Sequence, residues 1–96
     1  MQRENTIAVY GLGRVGAAVA AVFLRHGFNV LGADVDKEKV EKINAMEKVF
    51  NLEPHVDDAF SDGIKRGSFK ATTDLIEASK NSKYKIITVP VPLVLK

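Results

Sequence analysis

Apolar stretches along the first half of the chain alternate between the patterns of strands and helices. Residues 7–10 form a short apolar run that is followed at once by glycines, which favours a buried strand. Beyond those glycines, apolar residues recur at helical spacing until Gly27, where we expect a left-handed C-terminal cap. A second apolar run covers 28–33, and a more charged helical pattern begins near Asp36 and continues to Phe50. The predicted order is therefore strand, helix, strand, helix.

The second half continues this alternation. In chain order, we predict a loop over 51–55, a helix that ends at Gly67, a strand over 69–72, a short helix that Asp74 opens with a capping-box pattern, and a strand over 84–89. Strands that alternate with helices are typical of parallel βαβ units with right-handed crossovers. The sequence thus predicts an open, parallel α/β sheet.

Composition supports a folded domain and excludes several classes of function. The chain has 96 residues, enough for one domain, and its 46% hydrophobic content predicts a packed core. Fourteen Lys and Arg residues and twelve Asp and Glu residues are interspersed, which argues against a nucleic-acid surface. With zero cysteines, these residues can form neither a disulfide framework nor a cysteine nucleophile. The polar start and the short apolar runs predict no membrane span and a cytoplasmic location.

A glycine-rich segment, G-x-G-x-x-G at residues 11–16, lies between the first predicted strand and the first predicted helix. Gly11 allows a tight turn, Gly13 lets the backbone approach a pyrophosphate, and Gly16 lets the helix pack close to the strand. The following helix N-terminus offers N–H groups and a positive dipole end to phosphates. This arrangement predicts a dinucleotide-binding loop.

An acidic residue at the end of the second predicted strand supports the same prediction. Asp34 follows the last glycine by nearly the spacing of about 20 residues that dinucleotide-binding folds use. Its carboxylate can accept hydrogen bonds from ribose hydroxyls and would repel a 2′-phosphate, which favours NAD over NADP. Lys37, Lys39 and Arg14 could touch the cofactor or remain solvated. The alternative is that the glycines only form a tight turn and that Asp34 caps the next helix.

Other titratable residues indicate no further chemistry. His26 and His55 have no cluster of acidic or cysteine ligands near them in sequence, so no metal site is predicted, and His26 suits a helix C-terminus. We interpret Asp57, Asp58 and Asp62 as solvated residues near the start of a helix. No catalytic set of residues is visible.

The whole pattern resembles the amino-terminal part of the UDP-glucose/GDP-mannose dehydrogenase family, which includes UDP-N-acetylmannosamine dehydrogenases. The resemblance rests on the segments IAVYGLGRVG, VLGADVDKEKVEKIN, the Glu53-Pro54 segment, GSFKATTD and IITVPVP. The last two carry the specificity, because many dinucleotide-binding proteins share the first two. The resemblance implies that residues 1–96 are a partial Rossmann-type dinucleotide-binding domain, with about four of six strands.

The resemblance also implies a function and a set of NAD-binding positions. Family members oxidise the primary alcohol of a nucleotide sugar to a carboxylate with NAD. Carried over by position, the cofactor-binding residues are Gly11, Gly13, Arg14, Val15 and Gly16 at the pyrophosphate, Asp34 and Lys39 at the adenosine, and Pro90 and Val91 at the nicotinamide. Position 14 is often aromatic in the family and position 91 is commonly Thr, so this chain departs from the pattern at both.

The family's catalytic cysteine, catalytic lysine and nucleotide-sugar domain have no counterpart in these residues, so we expect binding of NAD without catalysis. Two alternatives remain. A regulatory NAD-sensing module of the potassium-transporter type would resemble the chain only to about Lys42, and a structural remnant would not bind NAD. If the strand order is 3-2-1-4, the strand over 84–89 lies at an edge, and we expect a homo-oligomer that pairs through this strand and the apolar tail at 91–95. The alternative is a monomer in which the tail folds back over the edge.

Overall fold

A computed structural model describes residues 1–49 and 54–88. Its single described sheet has four parallel strands in the order β3-β2-β1-β4. The strands are β1 (Thr6–Tyr10), β2 (Asn29–Ala33), β3 (Phe69–Thr72) and β4 (Tyr84–Ile87). The helices are α1 (Arg14–Arg25), α2 (Lys37–Asn44), α3 (Pro54–Arg66) and α4 (Leu75–Lys80), and a 3-10 turn (Arg3–Asn5) precedes β1. The predicted α/β class and Rossmann-type strand order are confirmed.

The two faces of the sheet are covered by different helices. On one face, Ile7 and Val9 of β1 belong to a core that includes buried residues of α1, α2 and α3. On the other face, Ala8 packs in a smaller cluster with Ala78 of α4. Because successive strand residues point to opposite faces, the apolar run at 7–10 supplies both cores.

Two helices end just before a glycine, as predicted. Gly27 after α1 has a φ of 86° and Gly67 after α3 has a φ of 75°, both in the left-handed region. At the start of α4, the Glu77 N–H donates to Asp74 Oδ1 at 2.9 Å. In a full capping box, the Glu77 carboxylate would accept a hydrogen bond from the Asp74 N–H. Here it accepts from the Asn81 side chain at 2.6 Å instead. The elements that follow these turns, β2, β3 and α4, come in the predicted order.

The second helix is shorter than predicted, and the third begins earlier. The prediction of helix up to Phe50 was wrong because α2 ends at Asn44, and Met46 follows with a φ of 61°. Residues 50–53 lie outside the described residues, as do 89–96. Pro54, predicted to lie in a loop, is the first residue of α3, where its missing N–H costs no helical hydrogen bond.

One acidic residue of α3 is buried, contrary to the sequence interpretation. Asp57 is only 6% exposed, and its Oδ1 accepts a hydrogen bond from the Val49 N–H at 2.9 Å. The bond connects the segment after α2 to α3, which explains why a carboxylate is tolerated inside this packing. Asp58 and Asp62 are exposed, as predicted.

Candidate functional site

The glycine segment forms a tight turn between β1 and α1. Gly11 has a φ of 98°, and its N–H donates to the Ala33 carbonyl at 2.7 Å, which ties the turn to the end of β2. Gly13 is the N-cap of α1 and forms no side-chain cap hydrogen bond. A Cβ atom built on Gly13 would meet no atom of residues 1–49 and 54–88 within 4 Å. The position beside Gly13, at the N-terminus of α1, is therefore open.

Gly16 explains why the helix can start so close to the strand. A Cβ atom on Gly16 would lie 1.7 Å from the Gly11 carbonyl oxygen and 2.5 Å from Thr88 Oγ1. Real Cβ atoms do not approach backbone oxygens so closely, so any side chain here would push α1 away from the turn. The role predicted for Gly16 in close packing is confirmed.

Asp34 connects the turn to the end of β2. Its Oδ2 accepts from the Leu12 N–H at 2.8 Å and its Oδ1 accepts from the Asp36 N–H at 2.9 Å. The N-cap of α2 is Asp36, whose Oδ1 accepts from the Lys39 N–H at 3.1 Å. The alternative that Asp34 caps α2 is therefore wrong, and the acid belongs to the glycine turn.

The surroundings of Asp34 keep its carboxylate ionised. Partial burial by itself would raise the pKa of Asp34, but the N–H groups of Asp36 and Leu12 and the charge of Lys39 lower it. The resulting pKa lies below the ordinary value of 3.8. A carboxylate has about four lone-pair positions, so the N–H groups of Leu12, Asp36 and Val35 still leave Asp34 with acceptor capacity for a ribose hydroxyl.

Of the nearby cations, Lys39 joins the site. Its Nζ lies 3.8 Å from Asp34 Oδ2 and donates to the Leu12 carbonyl at 3.3 Å. Lys37 is exposed at the first residue of α2. Arg14 and Val15 are exposed on the first turn of α1, beside the open space at Gly13. The predicted positions 11–16, 34 and 39 thus lie together, whereas Pro90 and Val91 lie outside the described residues.

A shallow recess of about 350 Å³ opens beside the Asp34 carboxylate. It is lined by Tyr10, Gly11, Ala33, Asp34, Val35, Leu75 and Ile87. Apart from the Asp34 carboxylate and the Tyr10 hydroxyl, the side chains that line the recess are apolar. Such a surface can receive a flat heterocyclic base while the carboxylate receives the attached sugar.

Sequence reasoning did not assign five of the recess residues to the site: Tyr10, Ala33, Val35, Leu75 and Ile87. Val35 directly follows the acid and is 80% exposed, so its position next to Asp34 was a usable signal. Tyr10 and Leu75 come from distant elements, and the Tyr10 hydroxyl donates to the Leu75 carbonyl at 3.3 Å. That proximity depends on the packing of α4 against the sheet and could not be predicted from local pattern.

Thr88 is a further residue that sequence reasoning missed. Its N–H donates to the Tyr10 carbonyl at 2.8 Å, which continues the pairing of β4 with β1. Its Oγ1 lies 3.1 Å from the Tyr10 carbonyl oxygen and 3.0 Å from the Gly11 carbonyl oxygen. The end of β4 is thereby joined to the glycine turn.

Residues 1–49 and 54–88 contain neither a candidate metal cluster nor a candidate membrane-spanning helix. Within these residues, no group of three or more His, Asp or Glu side chains is placed to hold a metal ion. His26 lies at the C-terminus of α1, with its Nδ1 2.9 Å from the Val22 carbonyl oxygen. None of the described helices has the length and apolar character needed to span a membrane.

Two curated dehydrogenases are similar in sequence to most of this chain. The chain is 35% identical over 86 residues to the GDP-mannose 6-dehydrogenase of Pseudomonas putida, and the match covers 90% of this chain and 19% of that protein. It is 37% identical over 87 residues to the UDP-N-acetyl-D-mannosamine dehydrogenase of Pyrococcus horikoshii, covering 91% of this chain and 20% of that protein. The chain thus spans about one fifth of the length of these relatives.

Solved structures of such dehydrogenases have the same fold over the matched region. The GDP-mannose dehydrogenase of Pseudomonas aeruginosa, in a ternary complex, superposes with a TM-score of 0.82 at 32% identity, over 90% of this chain and 20% of that one. The UDP-glucose dehydrogenase of Pyrobaculum islandicum gives a TM-score of 0.80 at 28% identity, over 93% and 21%. Residues 5–95 match the NAD-binding domain of the UDP-glucose/GDP-mannose dehydrogenase family, and the chain belongs to that family.

Proposed function

We propose that NAD binds across the carboxyl ends of β1 and β2, with its diphosphate at residues 11–16. Helix geometry gives the Val15 and Gly16 N–H groups in the first turn of α1 no acceptor inside the helix, and the open space at Gly13 gives a diphosphate access to them. The Leu12 N–H is already used by Asp34, so the phosphate donors are the N–H groups that follow it. The open position at Gly13 and these donors support the placement of the diphosphate at residues 11–16.

The adenosine half of the cofactor fits the adjacent recess. Asp34 would accept from the ribose hydroxyls, and the apolar surface formed by Val35, Leu75 and Ile87 would receive the adenine. Lys39 balances the charge of Asp34 and holds the turn through the Leu12 carbonyl. The hydrogen bond between Asp34 and Leu12 is the observation that supports this proposal most strongly, because it joins the acid and the phosphate loop into one site.

We infer that the larger function is that of a nucleotide-sugar 6-dehydrogenase, with residues 1–96 as its partial dinucleotide-binding domain. When bound, NAD supplies the hydride acceptor for oxidation of the sugar alcohol. These 96 residues contain zero cysteines, so the thiol step implied by the family resemblance would need other residues. We therefore expect the chain to bind NAD without turnover, with the nucleotide sugar bound by other domains.

The regulatory NAD-sensing module is the weaker proposal. It accounts for the sequence only to about Lys42, whereas the family match extends to residue 95. Homo-oligomer formation and a cytoplasmic location remain predictions. Sedimentation tests the first, and fractionation of cells that express the protein tests the second.

Substitution of Gly13 with Ser separates cofactor binding from folding. Ser is a good N-cap and the space around Gly13 is open, so the free energy of unfolding should stay within a few tenths of a kcal/mol of wild type. The new side chain would occupy the space of the diphosphate, so ADP-ribose affinity should fall at least tenfold. For wild type, ADP-ribose at 100 times its Kd should raise stability by about 2.7 kcal/mol.

Calorimetry and thermal unfolding with ADP-ribose measure both effects, and the unliganded Gly13→Ser variant serves as its own folding control. A wild-type chain that binds neither millimolar NAD nor ADP-ribose would refute the proposed function. Equal affinity of wild type and the Gly13→Ser variant would refute the placement of the diphosphate at Gly13.

A further inference from the structure

The hydroxyl of Thr88 occupies the junction between β4, the glycine turn and α1. Its Oγ1 lies 3.0 Å from the Gly11 carbonyl oxygen and 3.1 Å from the Tyr10 carbonyl oxygen. A Cβ atom on Gly16 would come within 2.5 Å of the same hydroxyl. The missing side chain of Gly16 therefore makes room for the Thr88 hydroxyl as well as for the Gly11 carbonyl.

This hydroxyl contributes to the orientation of the Gly11 peptide. Gly11 has a φ of 98°, and its N–H is held by the Ala33 carbonyl at 2.7 Å, so β2 fixes one side of the residue. On the carbonyl side of Gly11, the single hydroxyl proton of Thr88 is shared between the Gly11 and Tyr10 carbonyl oxygens. A residue of β2 and the residue directly after β4 thus hold Gly11, from which the phosphate loop begins.

We propose that Thr88 is a positioning residue for the cofactor diphosphate, acting through the Gly11 carbonyl. The proposal rests on the proposed function, because it assumes that the diphosphate binds at residues 11–16. Asp34 fixes the next residue of the turn through the Leu12 N–H at 2.8 Å. Together, Thr88 and Asp34 determine how the following N–H groups of the first turn of α1 are presented.

A valine and a serine at position 88 distinguish positioning from general packing. Val is close to Thr in shape but donates no hydrogen bond, so Thr88→Val should lower ADP-ribose affinity about tenfold, the effect of one lost hydrogen bond. Thr88→Ser keeps the hydroxyl and should bind within about threefold of wild type. ADP-ribose is the probe because it lacks the nicotinamide, so contacts at Pro90 and Val91 do not enter the comparison.

Thr6 provides a matched control at the opposite end of the sheet. It is buried, and its Oγ1 donates to the Gln2 carbonyl at 2.6 Å, the same type of bond that Thr88 makes. Thr6→Val should lower the free energy of unfolding and leave ADP-ribose affinity unchanged at temperatures where the variant is folded. Hydrogen exchange of the Gly11 and Leu12 amides, which donate to the Ala33 carbonyl and to Asp34 Oδ2, gives a second measurement that needs no ligand: exchange should accelerate in Thr88→Val and not in Thr88→Ser.

Several outcomes would overturn the role of Thr88. These are wild-type affinity in Thr88→Val, equal losses in Thr88→Val and Thr88→Ser, or an equal loss of affinity in Thr6→Val. If wild type itself binds no ADP-ribose, the proposed function fails, and unchanged amide exchange in Thr88→Val would separately refute the control of the turn by Thr88.

Discussion

At the scale of single residues, Asp34 combines a structural and a recognition role. Its two oxygens hold the Leu12 and Asp36 N–H groups, and Lys39 lies beside it at 3.8 Å. A hydrogen bond to a charged group contributes about 1.5 to 3 kcal/mol, more than a neutral one. The acid that is proposed to select NAD therefore also fixes the loop that is proposed to bind the phosphates.

Asp34→Asn should weaken ADP-ribose binding and reduce the preference for NAD over NADP. The amide nitrogen would face a backbone N–H donor, and the negative charge that repels a 2′-phosphate would be lost. Calorimetric titration of wild type and variant with NAD and NADP measures the change in preference. Wild type that binds NADP as tightly as NAD would contradict the assignment of Asp34.

The same substitution should remove an acid-dependent part of the stability. Because the pKa of Asp34 is lower in the folded protein than the ordinary 3.8, ionised Asp34 stabilises the fold above that pH, and the contribution is lost as pH falls through the lowered value. The stability difference between wild type and Asp34→Asn should be constant above roughly pH 5 and shrink below roughly pH 4. Urea unfolding across this range tests it, and a difference that grows on acidification would contradict the direction of the shift.

At the scale of elements, helix ends were predictable where glycine marks them and missed where it does not. Gly27 and Gly67 identify the ends of α1 and α3, and both have positive φ. After α2, the Glu47 N–H donates to the Lys42 carbonyl at 3.0 Å and the Met46 N–H to the Ile43 carbonyl at 2.9 Å. This is a Schellman motif with methionine at the position that usually holds glycine, so no glycine marks this helix end.

Met46→Gly should stabilise the protein. A non-glycine residue in the left-handed region costs about 1 to 2 kcal/mol, and the added freedom of glycine in the unfolded chain offsets about half, so a gain of about 0.5 to 1 kcal/mol is expected. Met46 is 43% exposed, so little apolar packing is lost. Met46→Ala is the control, because it shortens the side chain but keeps the strained backbone. Urea unfolding that finds the glycine variant no more stable than the alanine variant would contradict this account.

The last residue of α2 also closes one edge of the sheet. The Asn44 side chain donates to the Ala71 carbonyl at 2.8 Å and accepts from the Ala71 N–H at 3.0 Å, as a neighbouring strand would. The two residues are 27 positions apart, so no local pattern indicates the pairing. At the β3 edge, the backbone carbonyl and N–H of Ala71 are therefore already hydrogen-bonded.

At the scale of the molecule, the order of elements could be predicted, but contacts between distant segments could not. The alternation of apolar runs and helical patterns was sufficient to predict the parallel sheet. The glycine spacing was sufficient to predict the turn at Gly11. The Thr88 hydroxyl and the Gly11 carbonyl are 77 positions apart, and the recess beside Asp34 depends on Leu75 of α4. These features depend on how crossover connections pack, which periodicity does not encode.

The two edges of the sheet differ in a way that predicts how copies of the chain would associate. Among the described residues, β4 pairs with β1 on one side, whereas part of the β3 edge is bonded by Asn44. Tyr84 is 51% exposed and Ile87 is 69% exposed on β4. Exposed apolar edge strands favour pairing with another chain, so we expect a dimer or higher oligomer that forms through β4.

Ile87→Lys should therefore shift the chain toward monomer, because a charged side chain on an edge strand opposes pairing with a second copy. Ile76→Lys is the matched control: Ile76 is 71% exposed, close to the 69% of Ile87, but lies on α4. Sedimentation velocity at increasing concentration measures the association of wild type and both variants. A wild-type chain that stays monomeric at high micromolar concentration would rule out pairing through β4. An equal shift in both variants would mean that general surface hydrophobicity drives association, since Ile76 is not on the β4 edge.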